Sequence, residues 1–364
     1  MKTKHDSYLT TKSPCKGCQL CLRGQKLVLF IGGKCSRNCW YCSLSEGRKN
    51  SETTWANERP CKTNQDIIKE AIDSNAKGAG ITGGDPLVYF QKTLSAAKAL
   101  KKKFGKKFHI HIYLPFPLVD KEKLTALEKY IDEVRFHASF LTNPNEKLYK
   151  EELEKLKLAS SIFGKSRTGV ELPLLPNKKK EIIQYIQDTH NLISFANLNE
   201  FELSDTNFDL ITKNYTLNQD SYTISKSIET GKQILKKCKS TKLKIHLCTA
   251  STKNHHQYHN RLLRHNILPY GIKTQDATVI YYTILSKDLK QTAKQLKQYT
   301  KKFHIDSLHN RIILSEQEVQ KIYKTKKFEI NFSEEHPTYD AEKMSFWKLT
   351  DEDFELNFRV DNYL

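Results

Sequence analysis

Long apolar runs are missing from this 364-residue sequence. No stretch of about 18 consecutive apolar residues occurs, so we expect no transmembrane helix and no membrane partner. The first segment, residues 1–13, is polar and lacks the apolar core of a secretory signal peptide. We therefore expect a cytoplasmic protein, in which nine cysteines indicate metal ligands more than disulfides.

Acidic residues are outnumbered by basic ones. The chain has 41 Asp and Glu residues against 60 Lys and Arg residues, which gives a formal net charge of +19. This excess suits a polyanionic partner such as tRNA or another RNA, because basic side chains release counterions from phosphates. An AT-rich genome gives a protein the same lysine-rich composition, and no RRM, KH or zinc-finger consensus is present to decide between the two explanations.

Three cysteines follow the apolar run at residues 27–31 at C-x3-C-x2-C spacing: Cys35, Cys39 and Cys42. We predict that the run is a buried strand and that the cysteines lie in the loop after it. Such a loop can direct three thiolates at three irons of a cubane cluster and leave the fourth iron open. Structural zinc usually takes four ligands and leaves no open position, whereas iron–sulfur clusters are bound at short, motif-specific spacings.

A second cysteine group precedes this strand, with Cys15, Cys18 and Cys21 in a predicted C-x2-C-x2-C turn. Far along the chain, His246 and Cys248 stand two residues apart in a predicted strand, so both project from one face. These residues predict a second metal site. Four thiolates would hold an auxiliary iron–sulfur cluster with the histidine behind them, and four of the five ligands would hold a tetrahedral zinc.

The first cysteine motif, with Tyr41 before its last cysteine, resembles the motif of the radical S-adenosylmethionine (radical SAM) superfamily. A second resemblance lies at residues 82–86, where Gly83 and Gly84 match a glycine-rich strand end that holds the methionine part of SAM in that family. Asp85 stands where the family usually has glutamate. Together with the C-x2-C-x2-C group, the motifs resemble archaeal radical SAM proteins described only as related to pyruvate formate-lyase activating enzyme.

Strand-like and helix-like stretches alternate through the middle of the chain, which indicates βαβ units and a parallel sheet. The predicted strands lie at residues 27–31, 78–82, 108–114, 133–137, 168–172 and 192–196. Six repeats match the partial, TIM-like (β/α)6 barrel of the radical SAM family, an α/β fold. We predict a Cys-rich N-terminal metal segment at 1–26, the barrel at 27–204, a linker at 205–227 and a small C-terminal α+β domain at 228–364, which shares the second metal site.

The resemblance implies that Cys35, Cys39 and Cys42 bind a 4Fe–4S cluster, and that SAM chelates its open iron. It also implies that the two glycines let backbone approach the methionine amine, that the following aspartate orients this amine, and that the tyrosine lies against adenine. Groups at the ends of later strands hold the ribose and carboxylate in related enzymes. The expected cofactor-binding residues are Tyr41, Gly83, Gly84, Asp85, Glu171 and Asn199.

The implied activity is reductive cleavage of SAM to a 5′-deoxyadenosyl radical, with an electron from a donor of the ferredoxin or flavodoxin type. One hypothesis is a radical SAM enzyme that modifies RNA, in particular tRNA. The alternative is a glycyl-radical activase or another peptide- or protein-modifying radical SAM enzyme. A third, more remote hypothesis is a non-enzymatic zinc adaptor on nucleic acid. Nothing in the sequence predicts the substrate or the oligomeric state.

Overall fold

A computed structural model describes residues 8–219 and 221–355 of the chain. These residues divide into two units. The first comprises the described residues up to 258 apart from 73–75, and the second comprises 73–75 and 259–355. Within the described ranges, no helix combines the length and the apolar character needed to cross a membrane.

One sheet organises the first unit. In sheet order its strands run β1-β10-β9-β8-β7-β6-β5-β2-β3-β4. All neighbours from β10 to β2 are parallel, β1 is antiparallel at one end, and the β3–β4 hairpin is antiparallel at the other. Among the described residues the sheet therefore has two ends and is an open, partial barrel. Its strands are β1 (Tyr8–Thr10), β2 (Lys26–Phe30), β3 (Thr54–Ala56), β4 (Arg59–Cys61), β5 (Gly78–Thr82), β6 (His109–Pro115), β7 (Glu133–His137), β8 (Thr168–Leu174), β9 (Phe195–Glu200) and β10 (Lys244–Cys248).

Helices connect the parallel strands, as the alternating pattern predicts. Polar caps mark some of their starts: Asp120 accepts a hydrogen bond from the backbone N–H of Lys123, and Asn145 accepts one from Leu148. The helices are α1 (Lys16–Leu22), α2 (Asn64–Asp73), α3 (Phe90–Phe104), α4 (Lys121–Glu128), α5 (Glu146–Phe163), α6 (Lys179–Thr189), α7 (Phe208–Asn214) and α8 (Ser227–Lys237). The α/β class and the parallel sheet predicted from the sequence are confirmed, and the sixth predicted strand begins three residues later than expected, at Phe195.

The first unit extends beyond the predicted barrel at both ends. Strand β10 lies beside β9 in the same parallel sheet, although the sequence analysis assigned it, with α8, to the C-terminal domain. At the other end, β1 pairs with β10, so the cysteine-rich N-terminal segment belongs to this sheet as well. The predicted cysteine turn is helix α1, which begins directly after Cys15.

The second unit is a small α+β structure around an antiparallel sheet with the order β13-β14-β12-β15-β16, and β11 pairs with β12. Its core includes Ile312, Leu314 and Phe332. A buried Arg311 donates to both carboxylate oxygens of Glu335 at 2.7 and 2.6 Å. The elements are α9 (His259–Arg264), β11 (Ile272–Lys273), β12 (Val279–Leu285), α10 (Leu289–Leu296), β13 (Phe303–Asp306), β14 (Arg311–Leu314), α11 (Glu316–Lys324), β15 (Asn331–Glu335), β16 (Lys343–Lys348) and α12 (Asp351–Glu355).

Candidate active site

A cavity of about 270 Å³ lies at the carboxyl ends of the parallel strands, where sites of such folds gather. The loop that leaves β2 and the end of β5 both line it, so the structure brings together two motifs that are far apart in sequence. Of the predicted residues, Cys35, Cys39, Tyr41, Cys42, Gly83, Gly84 and Asn199 line this cavity. The thiol of Cys35 is exposed, and those of Cys39 and Cys42 are half-buried.

The two glycines after β5 support the cysteine loop. Gly83 has a φ of +151°, a backbone conformation that other residues rarely adopt, and a Cβ there would lie 2.5 Å from the carbonyl oxygen of Gly32. A Cβ on Gly84 would lie 2.3 Å from the carbonyl oxygen of Lys34. The backbone N–H of Gly84 donates to the Gly32 carbonyl at 2.9 Å. The absence of side chains at both positions is therefore required by the loop itself.

The structure departs from expectation at Asp85, which we expected to orient the methionine amine. This residue is fully buried and does not line the cavity. One carboxylate oxygen accepts a hydrogen bond from the hydroxyl of Ser36 at 2.6 Å, and the other accepts one from the backbone N–H of Leu87 at 2.8 Å. Burial raises the pKa of this carboxyl. Because both oxygens already have protein partners, Asp85 positions the cysteine loop.

Residues 204–207 hold the far end of the same loop. The hydroxyl of Thr206 lies 3.2 Å from the carbonyl oxygen of Cys42, and the side-chain amide of Asn207 donates to the carbonyl of Tyr41 at 3.3 Å. The sequence analysis placed most of this segment in a linker because of its polar composition. The signal it missed is that short polar side chains such as Thr and Asn readily bind nearby backbone groups.

Arg37, which stands between the first two loop cysteines, was also not selected from the sequence. It donates to the carbonyl of His137 at 2.8 Å and to the hydroxyl of Thr142 at 3.0 Å, and so ties the middle of the loop to the end of β7. Tyr41 packs edge-on against Trp40 and Phe201, and burial raises the pKa of its hydroxyl. The loop is thus held at its start, middle and end.

A second, deeper cavity of about 450 Å³ adjoins the first within the same unit. The two cavities share four lining residues, Thr82, His137, Asn199 and Lys253. The deeper one is lined by side chains from the inward face of the sheet, including Glu171 and His246, and by two cysteines of α1. Alternate residues of the strands therefore form a polar interior.

The buried guanidinium of Arg135 is the centre of this polar interior. It donates to Glu133 at 2.8 Å, to Glu171 at 3.3 Å and to the hydroxyl of Tyr113 at 3.2 Å. Burial opposes ionisation of Glu133, but the charges of Arg135 and His109 and the hydrogen bonds from Arg135 and Gly17 together lower the pKa of this carboxyl. The arginine therefore stabilises a pair of buried carboxylates that would otherwise be costly.

Glu171 and Asn199, both predicted to contact SAM, belong to one hydrogen-bond network. Glu171 accepts from the amide groups of Asn197 and Asn199, each at 2.8 Å, in addition to Arg135. Glu171 lines the deeper cavity, whereas Asn199 lines both. The carboxylate thus orients the asparagine at the boundary between the two cavities.

The predicted ligands of a second metal also meet in part. Cys18, Cys21, His246 and Cys248 line the deeper cavity, and Cys15 lies next to it through a contact with Arg135. Burial raises the pKa of Cys21 to about 11 and that of Cys248 to about 12, and it lowers the pKa of His246 to about 4. No group of three or more His, Cys, Asp or Glu side chains in the described part of the chain is arranged around a single metal position. The second metal stays a prediction.

Comparisons with known proteins agree on the family of this fold. The family model described as the radical SAM superfamily matches residues 29–189. A protein of Methanocaldococcus jannaschii, named "Putative glycyl-radical enzyme activating enzyme", is 36% identical over 344 residues, 90% of each chain.

Two solved structures are more distant. Streptococcus suis SuiB bound to S-adenosylmethionine is 15% identical with a TM-score of 0.44, over 62% of this chain and 50% of that one. TsrM, a radical S-adenosylmethionine methyltransferase from Kitasatospora setae with cobalamin and a [4Fe-4S] cluster bound, is 10% identical with a TM-score of 0.37, over 54% of this chain and 41% of that one.

Proposed function

Because this chain belongs to the radical SAM superfamily, whose enzymes use a 4Fe–4S cluster and SAM, we propose that Cys35, Cys39 and Cys42 bind that cluster. The observation that supports the assignment is the meeting of the three thiols with the glycines after β5 on one cavity of about 270 Å³. Three thiols on one loop, none of them fully buried, are the ligands that a cluster with one open iron would need.

Bound at these cysteines, the cluster would supply the electron for reductive cleavage of SAM, and with it the radical chemistry that removes a hydrogen atom from a substrate. The chain's own residues hold and shield this chemistry. Gly83, Gly84 and Asp85 fix the start of the cysteine loop. Tyr41 and Asn199 line the space next to the cluster, and we assign them to SAM, with Glu171 positioning the asparagine amide.

We propose a protein or peptide as the substrate, as in glycyl-radical activation. The support is the name of the archaeal relative, which is similar over nearly the whole length of both chains. The electron would come from a ferredoxin- or flavodoxin-type donor. SAM cleavage needs a single open iron, so this activity does not require a second metal centre.

RNA modification is the second candidate, and only the net charge of +19 favours it. Retention of tRNA that weakens steeply between 50 and 200 mM salt, in the manner of roughly six or more phosphate contacts, would support this candidate. A protein substrate predicts no such retention. A protein whose lysines only reflect its composition would not retain tRNA either. Salt-dependent tRNA retention would therefore be expected only of the RNA-modifying enzyme.

The activity is tested by anaerobic reconstitution with iron and sulfide, followed by SAM and dithionite, with 5′-deoxyadenosine as the measured product. We expect the wild-type protein to form it and Cys39→Ala to form none. Cys61→Ala is the matched control, because Cys61 lies in β4 and lines neither cavity, and we expect it to behave as wild type. An iron-loaded wild type that forms no 5′-deoxyadenosine, or Cys39→Ala that forms as much as wild type, would contradict the proposal.

A further inference from the structure

The deeper cavity carries a cysteine group that SAM cleavage does not use. We propose that this cavity holds a second iron–sulfur cluster, bound by the thiolates of Cys15, Cys18, Cys21 and Cys248, with His246 beside them. The two cavities share four lining residues, so the second cluster would lie next to the space assigned to SAM.

Helix α1 presents its cysteines to the interior of the sheet. They recur every third residue, which puts them on one side of a helix. The helix contacts β2, β5 and β6, and it comes so close that a Cβ on Gly17 would lie 2.4 Å from the guanidinium of Arg135. The backbone N–H of Gly17 donates to Glu133 at 3.2 Å. This close approach fixes the orientation in which Cys18 and Cys21 line the cavity.

Strand β10 brings the fourth thiol to the same cavity. His246 and Cys248 stand two residues apart on the strand, so both side chains are on the same face, and both line the cavity. A π-helical segment, Thr252–Tyr258, follows shortly after and contacts α1. Segments of this kind often occur at functional sites. Gln257 in this segment donates to the sulfur of Cys248 at 3.3 Å.

Hydrogen-bond donors face three of the four sulfurs. One nitrogen of Arg135, Nη2, lies 3.3 Å from the sulfur of Cys15 and 3.5 Å from that of Cys18, and Gln257 donates to the third. The thiols of Cys15 and Cys18 donate in turn to Glu133 and Asn197. Metal binding removes these thiol protons and leaves the cationic donor in place, which favours thiolates.

The cationic guanidinium of Arg135 lies against two of the sulfurs at this cavity. Arg135 and the more accessible Lys253 line it, together with the carboxylate of Glu171 and, behind it, Glu133. Arg135 bridges the two carboxylates, and Lys253 pairs with Glu202 at 2.7 Å. A cubane accepts each thiolate on a different iron, so it suits ligands spread over a cavity wall. A single zinc ion needs all four ligands at one point.

Metal analysis of the intact chain tests the inference directly. After anaerobic reconstitution we expect about eight iron and eight sulfide per wild-type chain, the content of two 4Fe–4S clusters. The double variant Cys18→Ala/Cys21→Ala should retain about half of this iron, and Cys39→Ala/Cys42→Ala should retain the other half. Cys61→Ala, which removes a cysteine outside both cavities, should keep the wild-type content.

A wild-type chain that holds about four iron, or about one zinc besides them, would overturn the second cluster. Because the iron content is measured on the wild-type chain, it tests the second cluster even if Cys18→Ala/Cys21→Ala fails to fold. It also separates the two proposals. Loss of the second cluster leaves 5′-deoxyadenosine formation attributable to Cys35, Cys39 and Cys42, whereas failure of the first proposal removes that product regardless of the iron bound at α1.

Discussion

The two cysteine groups of this chain have nearly the same spacing and lie in different environments. Cys35 in the loop is exposed, whereas Cys15 at the start of helix α1 and Cys18 within it are each only 5% exposed; Cys21, like Cys39 and Cys42, is half-buried. Both spacings would place three cysteines on one side of a helix, so the spacing alone does not predict which of the two groups forms a helix. The two groups differ in what holds them in place. Close backbone contacts hold the loop, whereas a buried network of charged side chains holds the helix.

The support of the loop comes from a distant strand end. Gly83 and Gly84 contact the backbone at Gly32 and Lys34 so closely that no side chain fits between them. The helix group instead depends on Arg135, which holds two carboxylates and two sulfurs. The comparison predicts that backbone changes damage the loop and that charge changes damage the helix.

The largest effect is expected at Arg135. Arg135→Met leaves Glu133 and Glu171 buried without their cation, which should destabilise the first unit by roughly 3–5 kcal/mol. Arg135→Lys keeps the charge but loses the forked donor geometry, so its loss should be smaller. Denaturant unfolding measures both. Equal stability of Arg135→Met and wild type would show that the network does not support the helix group.

A backbone change in the loop support should come next. Gly84→Ala forces a Cβ against the Lys34 carbonyl and should reduce both the iron bound by the loop and 5′-deoxyadenosine formation by roughly tenfold or more, as for other strained core substitutions. Gly47→Ala is the matched control, because a Cβ there meets nothing within 4 Å. If Gly84→Ala and Gly47→Ala bind the same amount of iron, the close contact with the Lys34 carbonyl does not explain why glycine is needed at position 84.

A smaller effect is expected at Asp85. Whether the substitution changes the rate or the KM for SAM tests whether this residue positions the loop or contacts the cofactor. Asp85→Asn weakens the hydrogen bond from Ser36 and should lower the rate of 5′-deoxyadenosine formation by roughly two- to tenfold, the equivalent of about 0.5–1.5 kcal/mol, with the KM for SAM unchanged. Ser36→Ala should reproduce the effect, since it removes the other partner. A rise in the KM for SAM with an unchanged rate would instead indicate direct contact between Asp85 and the cofactor.

The smallest effect is expected at the far end of the loop. Thr206→Val removes the hydroxyl next to the carbonyls of Cys42 and Leu44, which should cost about 1 kcal/mol and modestly lower the iron retained by the loop during dilution. Thr212→Val serves as the control, because its hydroxyl bonds only within α7, to the carbonyl of Phe208. Equal iron retention in both variants would remove residues 204–207 from the loop support.

Much of this architecture could be predicted from the sequence, because local patterns carry it. Apolar runs between helical stretches predicted the parallel strands from β2 to β9, and the short cysteine and glycine motifs predicted which strand ends meet. Partners far apart in the chain could not be predicted. The polar stretch after β9 reads as a linker, and nothing local shows that β10 rejoins the sheet beside β9 or that β1 then pairs with β10.

The same limit applies to individual site residues. Asp85 follows two glycines at a strand end in the manner of a cofactor contact, and only the fold shows that Ser36 and Leu87 occupy its oxygens. The spacing of Cys15, Cys18 and Cys21 fits a metal-binding turn and a helix equally well. The segment is a helix that packs closely against Arg135 at Gly17. Arg135 belongs to β7, more than a hundred residues later in the chain, so this contact could not be predicted from the local sequence.

The most direct test of the central claim is the EPR spectrum of the reduced protein with and without SAM. In Cys18→Ala/Cys21→Ala, where the remaining iron lies in the loop, we predict a cluster signal that changes when SAM is added. In Cys39→Ala/Cys42→Ala, the signal should not respond to SAM. A SAM-dependent change that persists without the loop cysteines would contradict the assignment of Cys35, Cys39 and Cys42 as the SAM-cleaving centre.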